Sequence, residues 1–414
     1  MRDRIYNLLR WSQRYTRTDM VYLAKGGTWL SMRTAVGTVM GLTSTVVLAN
    51  LLDPQLYGKY QYVMAIAGIF WAFTLSGLGT SVTRDVARGF EGTYRRSIRE
   101  QFVWSVGVGA VIGISSLYYL IQGNTILGFS LGAVAVTTPF LKSLTLWGAY
   151  LAGKKFFRSR AIAGIIFDVF STLSLLGAVI VYPKQLPIII GIFLTSQVLL
   201  HLGITLFFIT KQKPETREDE SSRRYGYHLS LMEVPAIIAN RIDKVLIFQF
   251  VDPVSVAVYG IAQTGTTQLL LVTKWIRTLV APKFSARSLS DLKKSLFQKV
   301  LILAAAMGGL VTIYILVAPF LFDLLFPNYS RAVPVTQILA LLAVFSAATL
   351  YKEALISQQK TKLLYIFKII VPALEIAALF FATIAYGLWG VVIAKLIARA
   401  ISSIFLGTLF SRAT

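Results

Sequence analysis

Cysteine is absent from all 414 residues, which excludes disulfides and thiolate metal sites. Histidine is nearly absent too: His201 and His228 stand far apart and form no ligand cluster, so no metal and no resident cofactor are expected. Acidic residues are scarce, 18 against 41 Lys and Arg, for a net charge of +23. That surplus could point to nucleic acid, but the basic residues sit in short loops between apolar runs and build no basic domain, so no nucleic-acid partner is expected. Long polar stretches are missing as well. The largest internal one, 211–228, is too short to be a nucleotide-binding domain. Gly148 to Lys155 imitates a phosphate-binding loop, but a Lys stands where Ser or Thr should close it. It also ends an apolar run with no strand before it, so ATP hydrolysis is not expected.

What the chain does have is apolar surface. Hydrophobic residues make up 56% and the mean hydropathy is +0.67, more than a soluble core of this length can bury. Runs of about 20 apolar residues recur along the sequence, the length that crosses a bilayer as a helix. The runs are continuous and not alternating, which selects helices over a barrel. The reading is an all-α integral membrane protein with twelve spans, at about 28–50, 60–82, 101–121, 125–151, 161–182 and 187–210, then 229–250, 256–280, 299–320, 335–357, 363–385 and 389–411. One side of this topology takes 28 Lys and Arg, the other only Lys59, Lys184 and Arg331, and 10 fall within spans. The positive-inside rule then puts both termini in the cytoplasm. Residues 1–27 are too polar for a signal peptide. They form either an interfacial helix, with Ile5, Leu8 and Leu9 on one face and Arg10, Arg14 and Arg17 meeting headgroups, or a solvated basic tail.

The first external turn of each half carries similar residues. Asp53-Pro54 is followed by Gly58 and Tyr60; Asp252-Pro253 is followed by Tyr259 and Gly260, with each of the paired tyrosines seven places after its Asp. These turns join spans 1 to 2 and 7 to 8, so two six-span halves, 28–210 and 229–414, repeat in parallel about a pseudo-two-fold along the membrane normal. The 211–228 segment links them. Asp53 and Asp252 read as turn formers beside Pro. Gly37/Gly41, Gly109/Gly113 and Gly128/Gly132 allow close helix approach, and Pro139, Pro235 and Pro372 can bend their helices.

Leu52-Asp-Pro-Gln-Leu-Tyr-Gly-Lys-Tyr60, followed by Gly77-Leu-Gly-Thr-Ser-Val-Thr-Arg84-Asp-Val-Ala-Arg88, resembles the opening of the polysaccharide-biosynthesis flippases. These are O-antigen translocases of the multidrug/oligosaccharidyl-lipid/polysaccharide exporter superfamily. Asn240-Arg-Ile-Asp243-Lys, Val258-Tyr-Gly260 and Leu325-Phe-Pro-Asn-Tyr329-Ser-Arg-Ala332 fit the same pattern. The resemblance implies two six-helix bundles around a central cavity, alternating access and a monomeric transporter in the bacterial cytoplasmic membrane. It further implies a polyprenyl-diphosphate-linked oligosaccharide as cargo. Lipid II flippases of the same superfamily commonly carry two further spans, which this chain lacks.

Ionisable groups inside a membrane are functional suspects. Ten basic residues fall in the spans: Arg33, Lys142, Arg241, Lys244, Lys274, Arg277, Lys352, Lys368, Lys395 and Arg399. Only Asp168, Glu233, Asp243, Glu353 and Glu375 oppose them. A cationic surplus suits an anionic headgroup. Lys142 and Asp168 lie at similar depths on adjacent spans and could pair, as could Glu375 and Arg399 in the last hairpin. Lys352, Glu353 and Lys368 are expected to snorkel to the interface. Lys274 and Arg277 are about a turn apart on span 8 and either snorkel or meet cargo. Since spans 1 and 7 line the cleft in the superfamily, Arg33, Arg241 and Lys244 are expected to grip the diphosphate, with Lys142 a further headgroup candidate and internal pairing the alternative. Asp243 either orients Arg241 or couples transport to an ion. Glu375 and Asp168 are further coupling candidates, with protons, sodium or the membrane potential as the driving force. Anionic lipids are expected partners of the basic face. Two rivals remain. A cation-coupled drug exporter shares the fold, and a membrane glycosyltransferase or polymerase would need longer external segments than the 14 or so residues near 321–334.

Overall fold

The computed structural model describes residues 20–212, 214–219, 221–358 and 360–412, all of them helix, turn or coil with no strand. The amphipathic segment around Ile5, Leu8, Leu9 and Arg10 lies outside the described residues. The first half comprises α1 (Met20–Leu51), α2 (Pro54–Trp71), α3 (Leu78–Ala87), α4 (Gly92–Ile121), α5 (Thr125–Ser143), α6 (Trp147–Gly153), α7 (Phe157–Val181) and α8 (Leu186–Gln212). The second comprises α9 (Ser221–Ala239), α10 (Ile242–Phe250), α11 (Pro253–Ser285), α12 (Leu289–Leu325), α13 (Ala332–Ala340), α14 (Leu342–Phe345), α15 (Thr349–Ser357) and α16 (Thr361–Ser411). Eight helices, some joined across short breaks, are long and apolar enough to cross a membrane. The last of them turns back at Gly387, whose φ of 56° and ψ of −135° only glycine adopts readily, so α16 supplies two spans. Spans 2, 7 and 8 complete the twelve. Spans 2 and 7 are broken, and span 8 is a continuous helix made polar by its Gln, Thr and Gly residues.

Span 2 is interrupted between Trp71 and Leu78, and the interruption is chemically satisfied. Gln101 donates to the Thr74 carbonyl at 2.8 Å, and Ser230 Oγ accepts from the Gly77 amide at 2.9 Å. Bonds of this kind let an irregular backbone persist at membrane depth. Span 7 breaks at Asn240 and Arg241, a turn after Pro235. The linker expected over 211–228 is shorter than that, because helix resumes at Ser221. Its residues fold back on the first half: the Gly92 amide donates to the Arg217 carbonyl at 2.9 Å, and Arg88 pairs with Asp219 and Arg96 with Glu218.

Both Asp-Pro turns are helix N-caps. Asp53 accepts from the Gln55 amide at 3.0 Å, Asp252 from the Ser255 amide at 2.8 Å and its hydroxyl at 2.6 Å, and a Pro opens each helix. The two turns also meet. Gly58 lies against the Pro253 backbone and Gly260 against the Gln61 side chain, so the glycine near each turn marks the crossing of α2 and α11. Gly109, by contrast, lets α4 approach the Ala135 carbonyl of α5, a packing role.

The apolar core reports how the halves are joined. One cluster unites them, from Leu48 and Tyr57 to Val256, Tyr259, Phe322 and Tyr329, at the end bearing the Asp-Pro turns. At the opposite, basic end the core divides into a first-half cluster around Val82, Tyr94 and Tyr150 and a second-half cluster around Leu292, Tyr351 and Phe410. The halves therefore share one apolar core at one end and have separate cores at the other. The seam between α2–α3 and α9–α10 stays joined throughout, while α1 and α11 barely touch. Asn50 Nδ2 to the Leu325 carbonyl at 2.8 Å and the Tyr57–Tyr329 edge contact at 6.3 Å seal the closed end.

Candidate functional site

The charges expected in the spans fall into three groups. In the first half, Arg33 reaches Asp168 across the α1–α7 contact, Nε to Oδ2 3.9 Å. This corrects the expected Lys142–Asp168 pairing. Equal depth put those two side by side, but α7 turns Asp168 toward α1, where Gly37 and Gly164 leave room for the pair. Lys142 instead lies over the Trp71 ring at 4.2 Å, and Trp71 Nε1 donates to Thr138 Oγ1 at 3.0 Å. His201 accepts from Trp147 Nε1 at 2.9 Å and stacks on Phe167.

The second group sits where span 7 breaks. Arg241 rests its guanidinium on Gly68 of α2, where any larger residue would overlap it, and Nη1 approaches the Met64 carbonyl at 3.4 Å. Lys142 and Arg241 both lean on the last turn of α2 and lie within each other's electrostatic reach. Lys244 donates to Gln61 Oε1 at 2.8 Å, and Gln61 donates in turn to Tyr57. Asp243 is fully buried. Its Oδ2 accepts from Tyr259 at 2.7 Å, from Gln263 at 3.1 Å and from Lys395, and its Oδ1 takes the Lys244 amide at 2.8 Å. Of its two expected roles, orienting Arg241 has no hydrogen bond behind it, since its oxygens are committed to Lys395 and those other donors.

The third group lines a cavity of about 390 Å³ wholly within the second half, walled by Glu233, Lys352, Lys368, Glu375, Lys395 and Arg399. That volume is within the range of small-ligand sites. Lys352 and Lys368, expected to snorkel, stand on its wall. Each extends from a helix face turned inward and not toward lipid. Glu375 and Arg399 share the cavity, but no salt bridge within 4.0 Å joins them among the described residues. Arg277 lies close to Lys352 and Arg399, and its Nε has no hydrogen-bond partner among the described residues. Lys274, one turn earlier, is exposed. With Lys395 matched to Asp243, the cations Lys352, Lys368 and Arg399 face Glu233 and Glu375 on this wall, with Arg277 and Glu353 close to Lys352 behind it.

Glu233 and Lys395 were not singled out from sequence, although a signal existed. Lys368, Val371, Pro372 and Glu375, and again Lys395, Ala398, Arg399 and Ser402, each follow the i, i+3, i+4, i+7 spacing of one helix face. Two charged faces on consecutive spans mark a shared polar interior.

Two helical halves with charges buried among their spans define a multi-pass helical membrane protein of transporter fold. The family model for polysaccharide biosynthesis proteins matches residues 23–286, well over half of the sequence. The chain belongs to that family, within the multidrug/oligosaccharidyl-lipid/polysaccharide exporter superfamily. No curated protein sequence matches it. Among solved structures it is similar to a MATE-family multidrug transporter in an outward-facing conformation, with TM-score 0.65, 14% identity and coverage of 94% of this chain and 97% of that one. A MOP-superfamily transporter from Pyrococcus furiosus, described as having reversed polarity in its binding pocket, gives 0.64 at 14% identity, covering 94% and 95%. The lipid II flippase MurJ in an inward closed conformation gives 0.61 at 14% identity, covering 93% and 87%. These likenesses establish the twelve-helix, two-bundle fold.

Proposed function

We propose that the protein translocates a polyprenyl-diphosphate-linked oligosaccharide from the leaflet at its basic, cytoplasmic end to the opposite leaflet by alternating access. The cationic cavity of the second half carries this reading: Lys352, Lys368 and Arg399 line a membrane-embedded space with only Glu233 and Glu375 against them. Desolvated cations without matching carboxylates are expensive unless an anion completes them. The Lys142–Arg241 pair at the α2 turn adds two more cations whose repulsion an anion relieves. Arg33, held near Asp168, and the exposed Lys274 stand further out, as guides for the incoming headgroup.

Both relatives' chemistries, drug export and lipid II flipping, come on this fold, so the fold does not choose between them. The sign of the cavity favours the lipid-linked cargo, because a cationic wall repels the organic cations that a drug exporter would carry. An inside-negative potential then assists the outward passage of the diphosphate, by about 2.3 kcal/mol per charge per 100 mV. Return of the emptied, cationic cavity runs against that field, and Glu375, facing both the cavity and Lys395, is the group placed to take up a coupling cation.

The test is binding of undecaprenyl diphosphate to the purified protein by native mass spectrometry. Replacing Lys352, Lys368 and Arg399 together with Gln is expected to weaken it by about a hundredfold or more, each charge-assisted contact contributing roughly 1.5–3 kcal/mol. Unchanged affinity in the triple variant would remove the cavity from the headgroup path.

A further inference from the structure

A second space adjoins the charged cavity. The two arms of α16 touch backbone to backbone where Gly390 meets Ala382, and alongside this contact they leave a furrow of about 790 Å³. Its floor is built from small residues, Ala378, Ala382, Ala385, Gly390, Ala394 and Ala398. Its rims are large and face outward: Leu374 is 62% exposed, Phe381 70%, Ile397 52% and Ile401 57%. The furrow's lining from Ile370 to Tyr386 rises about 24 Å along one helix, most of the hydrocarbon thickness.

The furrow and the cavity share a wall. Val371, Glu375, Ala398 and Ser402 line both, and Lys395 and Arg399 stand directly behind it. Polar groups meet the apolar slot at Glu375 and Ser402, toward the end of the furrow away from Gly387. Lys395 is sixteen residues, about 24 Å of helix, from the end of α16 at Ser411. An ordinary phospholipid keeps its headgroup at the interface and has no charge to offer at that depth. The occupant that fits has an anionic head held at mid-membrane and a single long isoprenoid chain lying beside it, in the state a lipid-linked cargo reaches during passage.

We infer that the furrow between the last two spans seats the polyprenyl chain of the cargo while its diphosphate occupies the adjoining cavity. The tail then leaves through the α16 hairpin within the second half, and not through a gap between the two bundles. This rests on the lipid-linked reading above and adds the place of the tail.

The test compares a long-chain polyprenyl diphosphate with farnesyl diphosphate, which has the same head, on the full-length protein in nanodiscs. The unaltered protein is expected to bind the long chain about tenfold or more tightly, since only a few buried methylenes suffice for that. Filling the furrow with Ala378→Phe and Ala385→Phe is expected to bring long-chain binding down to the level of farnesyl diphosphate and so erase the preference. Ala378→Ser should retain the preference, and equal melting temperatures confirm that the variants fold. A preference that survives the filled furrow, or dioleoyl phosphatidylglycerol competing as well as the long-chain diphosphate, would overturn the tail site while leaving the cargo reading intact. If neither diphosphate binds the unaltered protein, the cargo reading itself fails and the tail site with it.

Discussion

Replacing Lys395 by Met should destabilise the protein more than any other single loss of charge in its interior. The Asp243 carboxylate is fully buried, and Lys395, itself only 12% exposed, is the sole ionic partner within 4.0 Å among the described residues. Without it the carboxylate keeps Tyr259, Gln263 and the Lys244 amide, all from uncharged donors. Breaking a buried ion pair from one side costs about 3–5 kcal/mol. Neutral hydrogen bonds between membrane helices average only roughly 0.6 kcal/mol, so the remaining donors do not make up that deficit. Asp243→Asn should cost less, about 1–3 kcal/mol, because the stranded ammonium lines the cavity and can be hydrated there. The double substitution removes both charges and should come within about 1–2 kcal/mol of the unaltered protein. A double-mutant cycle on unfolding in mixed detergent micelles should therefore return a coupling energy of about 3 kcal/mol. Single effects that simply add, to within about 0.5 kcal/mol, would refute the pairing.

Four other substitutions probe separate features. Gly68→Leu should displace the Arg241 guanidinium and cut diphosphate affinity at least about tenfold by binding assay, as the loss of one charge-assisted contact does. Gly387→Ala should cost about 1–3 kcal/mol in unfolding measurements, because φ 56° with ψ −135° is closed to a residue with a Cβ. Asp252→Ala should lower stability by about 1 kcal/mol or somewhat more, and Asp53→Ala by less, since Asp252 caps with two hydrogen bonds and Asp53 with one. Reversing Arg96 and Glu218 singly should change stability little, about 0–1 kcal/mol, because both are partly exposed; the double swap should recover only the Arg96–Glu218 part, since Arg96 also pairs with Glu100 at 3.0 Å.

Sequence reading reaches the parts of this molecule that depend on depth and order. Apolar run length marks the spans, and basic loops mark one end. The Asp-Pro turns are helix caps at matching places, and the glycines near them prove to be where the halves cross. The family-like motifs around Tyr57 and Tyr329 turn out to seal the closed end and do not contact the cavity. What depth cannot supply is rotation about the helix axis. Lys142 and Asp168 share a height but face different neighbours, Trp71 of α2 and Arg33 of α1. Lys395 and Asp243, 152 residues apart, meet only because α10 and the last arm of α16 pack together. The charged faces of the last two spans were within reach of a periodicity argument, since their charges repeat at helical spacing. The breaks in spans 2 and 7 were less so, because Gln101 and Ser230 stabilise the first from other helices.

The central claim is movement of a lipid-linked glycan, and the most direct measurement is flux in reconstituted vesicles. A polyprenyl-diphosphate oligosaccharide is loaded into both leaflets, and an impermeant glycosidase reads its exposure at the outer surface over time. The account predicts protein-dependent exposure beyond the initial outer half, abolished when Lys352, Lys368 and Arg399 are replaced together by Gln. Exposure that stays at the initial half across several glycans, from the same vesicles that move organic cations, would contradict it and assign the protein to drug export.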